Sequence, residues 1–284
     1  MRRNGFASLT HSSVLVSVAR VAIGAVCALG AFGCSSDPGG DTRPWEMVWA
    51  DEFDGTTLDD SKWKIDTGAS FGTSQLDFDT TRPENITVTG GNLVITARKE
   101  SYNGEPYTSG RLETQGKFDR VYGKFEVRLK MPHGQGMWPA FWLLGTDYAS
   151  AGWPGCGEID VMENRGAELS TIHGSLHGPG YSGGGAFTEA FTLSSGAAFT
   201  DDFHTFGIEW EPGVLRWYVD GQLYQTRSSD TLARSKTWVF DDKSFFMILD
   251  LAVGGVYGGD PDASTPFPQQ MLVDYVHVYA RGGV

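Results

Sequence analysis

Lys124-Phe125-Glu126-Val127-Arg128-Leu129-Lys130-Met131 alternates without a break, a charged residue followed by an apolar one four times over. Successive residues of a β-strand point to opposite faces. Phe125, Val127, Leu129 and Met131 would then share one face, and the four charges the other. A helix would scatter the same eight side chains around its axis. The stretch predicts a strand with one side in a core and the other in water. The period of two continues along the chain. Leu215-Arg216-Trp217-Tyr218-Val219, then Asp220-Gly221, then Gln222-Leu223-Tyr224 reads as a hairpin. Asp-Gly suits the left-handed backbone of its tight turn. Further strands are predicted over 92–98, 110–115, 138–144, 156–164, 172–177, 205–211, 245–252 and 272–279. No long helical pattern interrupts them. Many strands separated by turn signals predict an all-β fold of two stacked antiparallel sheets.

Composition agrees. Glycine supplies 38 of 284 residues, and there are 9 Trp, 10 Tyr and 17 Phe. Such a chain, without Ala/Leu/Glu/Lys runs, suits strands and turns. With 35 acidic against 22 basic residues the net charge is −13. That balance argues against nucleic acid, which is held by clustered Lys and Arg. Three cysteines rule out a disulfide scaffold. No apolar run reaches the ~20 residues that span a bilayer as a helix.

Residues 1–33 differ from the rest. Arg2, Arg3 and Arg20 are their only charges, and an uncharged apolar stretch covers 21–33. This is a secretory signal, too short to span a membrane. It ends Ala31-Phe32-Gly33-Cys34, which resembles a bacterial lipoprotein signal whose cysteine becomes the acylated first residue. Phe32 and the position of Leu29 depart from that motif, and the alternative is an ordinary signal cut near Gly33. The expected location is therefore outside the bacterial cytoplasm, on an outer or periplasmic face, with membrane contact only through a lipid at Cys34. Without the leader, 19 basic residues face 35 acidic ones, a charge of −16. Residues 34–44 are polar and rich in Gly and Pro, which predicts a flexible linker. One domain then covers 45–284, expected as a monomer. Cys156 is left alone in it and reads as a small buried hydrophobe.

The most informative segment for chemistry is Trp153-Pro154-Gly155-Cys156-Gly157-Glu158-Ile159-Asp160-Val161-Met162-Glu163-Asn164. Glu158 and Asp160 share a strand face, with Ile159 and Val161 turned to the core. Glu163 lies five positions from Glu158, so a regular strand would turn it inward. A β-bulge at Val161-Met162 absorbs one residue and returns it to the acidic face. Three carboxyls would then line one strip. Glu158 and Glu163 would stand about one bulged repeat apart, compatible with the ~5–5.5 Å between the carboxyls of a retaining glycosidase. One carboxylate attacks the anomeric carbon while the other protonates the leaving oxygen and then activates water. Asp160 between them could hydrogen-bond the nucleophile. The alternatives are a solvated acidic face and a Ca²⁺ or Mg²⁺ site. Trp138, Trp142 and Trp153 flank this strand in sequence. Indole rings pack on the C–H faces of sugars and donate N–H to hydroxyls; core packing is the other reading.

The whole domain resembles glycoside hydrolase family 16, in its laminarinase (endo-1,3-β-glucanase) branch. The landmarks run in order from Trp49-Ala50-Asp51-Glu52-Phe53 through Gly91-Asn92-Leu93-Val94-Ile95, Ser109-Gly110-Arg111 and Gly136-Met137-Trp138-Pro139-Ala140-Phe141-Trp142 to Val273-Asp274-Tyr275-Val276-His277-Val278-Tyr279. Glu158-Ile159-Asp160-Val161-Met162-Glu163 matches the family signature in its six-residue, bulged form. The resemblance implies a β-jelly-roll sandwich with a concave substrate cleft. It implies Glu158 as nucleophile, Asp160 as helper and Glu163 as acid/base, without a catalytic cofactor. Trp138, Trp142 and Arg111 resemble glycone-side contacts, and His177 the histidine near the acid/base. It also implies a structural Ca²⁺ away from the cleft, on the Glu52 and Gly91 carbonyls and the Asp274 carboxylate. The implied partner is a β-glucan such as laminarin.

Departures bear on the substrate. Thr73-Ser74-Gln75-Leu76-Asp77 stands where laminarinases often carry an Asn-Asn-Glu-Leu-Gln-like run, and Ser74 lacks an amide for the sugar. Val253-Gly254-Gly255-Val256-Tyr257-Gly258-Gly259 lacks the usual Asn-Trp-Pro, and Asp250 stands where Asn is common. The alternatives kept open are a family 16 enzyme on mixed-linkage glucan or a galactan such as agar, a transglycosylase, and a β-glucan-binding protein without turnover. The last usually lacks one glutamate, and both are present here.

Overall fold

A computed structural model describes residues 41–282; the leader and Cys34 lie outside the described residues. Eighteen strands follow in chain order. They are β1 (Trp45–Asp51), β2 (Lys64–Asp66), β3 (Gly68–Ala69), β4 (Asp77–Asp79), β5 (Ile86–Thr89), β6 (Asn92–Tyr102), β7 (Glu105–Ser109), β8 (Arg111–Glu113) and β9 (Gly123–Lys130). Then come β10 (Met137–Gly145), β11 (Glu158–Glu163), β12 (Thr171–His177), β13 (Phe187–Thr192), β14 (His204–Glu211), β15 (Val214–Val219), β16 (Gln222–Ser228), β17 (Phe245–Val253) and β18 (Gln269–Arg281). Two single-turn helices, α1 (Tyr148–Ala151) and α2 (Gly255–Gly258), sit in loops.

The strands make two sheets. One has the order β16-β15-β14-β9-β18-β6-β7-β4-β3, with β1 also on β18 and β5 also on β6. The other, of seven strands, runs β13-β12-β11-β10-β17-β8-β2. Pairing is antiparallel except between β4 and β7. The all-β, two-sheet expectation holds. β1 to β5, β7 and β13 were not anticipated. β2, β3 and β4 are two or three residues long, too short to show a period, and β13 is an edge strand without alternation.

Phe125, Val127 and Leu129 lie wholly buried between the sheets. Their charged neighbours face out, where Lys124 pairs with Glu126 and Arg128 with Asp274. Each fully buried Phe or Leu contributes roughly 1.5–3 kcal/mol. All nine residues of β17 are buried. Phe245, Met247, Leu249, Leu251 and Val253 enter the main core, whereas Phe246 and Ile248 join Leu144 and Cys156 in a second, small cluster. Both faces of this central strand are covered, so it reads as a continuous apolar run rather than an alternating one. Cys156 takes the bland role expected of it, and burial pushes its thiol up to about 11. It is not a nucleophile at neutral pH.

Candidate active site

The seven-stranded sheet turns one face to the core and the other away from it. On the outer face, side chains follow the register. Glu158 lies between His177 of β12 and Leu144 of β10, and Asp160 between Ser175 and Trp142. Glu163 lies between His173 and Ala140. From Asp160 to Glu163, β11 advances three residues while β12 advances two. The extra residue is the expected bulge. Val161 and Met162 both drop into the core, and Glu163 returns to the acidic face.

The register corrects one expectation. Between Glu158 and Glu163 the partner strand runs from His177 to His173, four residues. At ~3.3 Å per residue their backbones are about 13 Å apart, two pleats rather than one bulged repeat. A glycosidase spacing therefore requires both side chains to lean over Asp160, because the strand repeat does not supply it.

Each glutamate is held by an indole. Trp153 Nε1–H donates to Glu158 Oε2 and Trp138 Nε1–H to Glu163 Oε1, both at 3.0 Å. Trp142 Nε1–H donates instead to Asp250 Oδ1 at 2.8 Å. Thus Trp138 and Trp153 are tied to the outer carboxyls, and Trp142 to a carboxyl one strand away. Trp153 is 45% exposed, open to a ligand. From β14–β15 behind the sheet, Trp217 Nε1–H donates to the Asp160 carbonyl at 2.8 Å. Gly174 makes that approach possible: a Cβ there would meet Trp217 Cδ1 at 2.7 Å.

Burial dominates the electrostatics. The apolar cluster around Leu144 and Phe246 continues the Glu158 row. Burial, with Asp160 beside it, pushes Glu158 up to about 8. The same two causes push Glu163 up to about 8. Asp160 is driven well above the carboxylate range by burial, with Asp250 adding to it. Burial thus favours the protonated form of Asp160, which can donate to a neighbouring carboxylate. His177 Nε2 lies 3.0 Å from Asp160 Oδ2 and 3.6 Å from Glu158 Oε1. Its Nδ1 accepts the Gly183 N–H at 3.1 Å, which places the ring proton on Nε2, towards the carboxyls.

That tautomer decides how the site is read as a metal centre. Glu158, Asp160 and His177 are, among the described residues, a group whose ligand atoms lie within 4.8 Å of one another. A metal-bound histidine donates its second N–H outward and leaves the ligating nitrogen bare. His177 has the opposite arrangement, so the trio is built to hold protons.

Across the sheet the Glu163 row continues through Ala140, Asp250, Arg111 and Asp66. The Arg111 guanidinium lies between the rings of Phe71 and Trp142, 4.7 and 4.9 Å from their centroids, with Asp66 at 3.5 Å. Asp77, Asp79 and Asp250 are buried near it, and burial raises all three, Asp77 to about 7. Asp77 Oδ1 accepts the Val253 N–H at 2.7 Å, tying β4 to the end of β17. Asp77, Asp79, Asp66 and Phe71 were not singled out as site residues. The signal for the first two was present: Asp-x-Asp in a strand puts two acids on one face. Ser74 lies exposed with a left-handed backbone (φ 59°), a conformation that favours Asn over Ser.

The residues expected to bind calcium lie elsewhere. Asp274 Oδ2 accepts from Arg128 Nη1 at 2.6 Å, and Glu52 Oε1 lies 2.7 Å from His277 Nε2. The one carboxylate of that set is already neutralised by a guanidinium.

Comparison with known proteins gives the family. Residues 73–277 match the family described as glycosyl hydrolases family 16. A beta-glucanase of Rhodothermus marinus is 43% identical over 264 residues, covering 87% of this chain and 91% of that protein. A glucan endo-1,3-beta-glucosidase of Cryptopygus antarcticus is 36% identical, covering 76% of this chain and 84% of that protein. Among solved structures, the catalytic domain of an endo-1,3-beta-glucanase (laminarinase) from Thermotoga petrophila RKU-1 superposes with a TM-score of 0.81 at 45% identity, covering 85% of this chain and all of that one.

Proposed function

Since this chain belongs to glycoside hydrolase family 16, we propose that it is a retaining endo-β-1,3-glucanase with Glu158 as nucleophile and Glu163 as acid/base. The observation that carries the reading is the bulged strand, which presents Glu158, Asp160 and Glu163 on one face with an indole N–H on each glutamate. Glu158 attacks the anomeric carbon of the glycone sugar as Glu163 gives its proton to the departing oxygen. Glu163 then takes a proton from water, which attacks the glycosyl-enzyme and frees Glu158. Asp160, whose protonated form burial favours, and the His177 Nε2–H stabilise Glu158 while it is charged. Titration of these groups is shared, so the two glutamates act as a pair. Trp138, Trp142 and Trp153 present their rings to the sugars, their N–H groups being held by Glu163, Asp250 and Glu158. Arg111 holds Trp142 by stacking on it and reaches the same face.

Reducing-sugar release by the full chain on laminarin, lichenan, agarose and carboxymethyl cellulose tests the substrate. Release is expected to be greatest on laminarin. Turnover confined to agarose would keep the mechanism and move the substrate to a galactan. Products longer than the starting oligosaccharide would make the enzyme a transglycosylase.

We also propose a structural Ca²⁺ on the Glu52 and Gly91 carbonyls and the Asp274 carboxylate. Calcium takes 6–8 oxygens at 2.3–2.6 Å, and here Arg128 holds the carboxylate. The ion must displace that guanidinium. The melting temperature is expected to be higher in Ca²⁺ than in EDTA, and the gap wider in Arg128→Gln. Equal midpoints in both proteins would remove the site. Export with a lipid on Cys34, and action as a monomer, complete the proposal; the charge pattern of residues 1–33 supports the first.

A further inference from the structure

Tyr257 sits on α2, in the segment that departs from the family's usual Asn-Trp-Pro run. Its ring packs against Trp138, centroids 5.2 Å apart, and Trp138 is the residue whose N–H holds Glu163. Its hydroxyl lies 2.8 Å from His173 Nδ1, and His173 is the direct cross-strand neighbour of Glu163. The Arg165 guanidinium lies over the same ring, 4.3 Å from its centroid, and donates to the Tyr257 carbonyl. Arg165 is itself fixed by Glu168 at 3.1 Å, and both lie in the loop that leaves β11 just after Glu163. Two of the neighbours of Glu163 therefore lean on one tyrosine brought in from a distant loop.

We propose that Tyr257 is a positioning residue for Glu163, acting through Trp138 and His173, an inference that rests on the acid/base role proposed for Glu163. The ring stops the Trp138 indole from rotating about its side-chain bonds, which keeps the N–H aimed at one carboxyl oxygen. The hydroxyl keeps the His173 imidazole turned to Tyr257 and away from Glu163. The charged groups facing this imidazole are Glu168, 3.9 Å from its Nε2, and Arg165 beyond the tyrosine ring. Burial also lowers the pKa of His173, which favours the neutral imidazole beside the acid. An imidazole released from Tyr257 could turn to Glu163, gain a proton there and strip the acid of its raised affinity for one.

Tyr257→Phe tests this, since it keeps the ring against Trp138 and Arg165 and removes one oxygen. On laminarin, kcat is expected to fall about ten-fold, part of the roughly 10²–10⁴-fold that general acid–base catalysis supplies. KM should stay within about two-fold. The alkaline limb of the pH profile should move to lower pH. Glycosyl-enzyme formation from an aryl glycoside with a good leaving group, which needs no acid, should be unchanged. A purely packing role would move neither the limb nor the leaving-group dependence. If Glu163→Ala behaves as an acid/base variant while Tyr257→Phe matches the wild type, the inference is overturned and the role of Glu163 stands. If Glu163→Ala is fully active, both fall. Loss of the fold in Tyr257→Phe would make the hydroxyl structural and overturn the inference too.

Discussion

Glu158→Ala is expected to abolish glucan hydrolysis, lowering kcat by on the order of 10⁴-fold or more, as loss of a covalent nucleophile does. The protein should remain folded and no less stable. Burial pushes the Glu158 carboxyl up to about 8, so the folded state pays to hold the charged form there. Above the unfolded carboxyl pKa of ~4.3, folding binds a proton that the unfolded chain has released, and removing the group removes that penalty. Its partner Trp153 is exposed enough for water to replace the lost acceptor. The check is reducing-sugar release on laminarin beside a thermal melt. Full hydrolytic activity in a folded Glu158→Ala protein would end the glycosidase assignment made for this strand.

Glu163→Ala should behave differently, and the difference separates the two roles. On laminarin the loss should be about 10²–10⁴-fold, the usual contribution of a general acid–base group. With an aryl glycoside the first step should survive, because a good leaving group departs without a proton. The glycosyl-enzyme then lacks its base and should accumulate. Added azide, a nucleophile that needs no deprotonation, should restore turnover and give a β-glycosyl azide, since two displacements retain configuration. The wild-type profile should lose activity as pH rises through about 8, where the Glu158–Glu163 pair gives up the one proton that its active form, with Glu158 charged and Glu163 protonated, still carries. The sign follows from the upward shift: the active, protonated form is present below that value and absent above it. An α-configured azide, or an unchanged alkaline limb in Glu163→Ala, would contradict double displacement with Glu163 as the acid.

Much of this was legible in the chain. The alternation of residues 124–131 made a strand with an apolar face, and Phe125, Val127 and Leu129 lie in the core as that pattern requires. The bulge followed from counting: five positions from Glu158 to Glu163 cannot share a face without an extra residue. Trp138 and Trp153 were singled out for their nearness in sequence, and both touch catalytic-strand carboxyls. What failed was distance. The chain by itself reads Glu158 and Glu163 as one repeat apart, whereas the register makes it two. Edge strand β13 was missed because it lacks a clean alternation, and β4 because three residues are too few to show one.

The sequence alone determined which residues can meet water and which cannot, because strand periodicity is a local property of the backbone. It therefore determined the sheets, the acidic face and the bulge. Tertiary structure decided which partners those residues have. Asp250 lies 108 positions from Trp142, and Tyr257 84 from His173, yet each pair is hydrogen-bonded. Cross-strand register is set by the packing of both sheets at once, and no window of the chain contains it. The acidities depend on it as well. Glu158 and Glu163 are ordinary carboxyls until β10 and β12 flank them and displace most of the water that would solvate their charge.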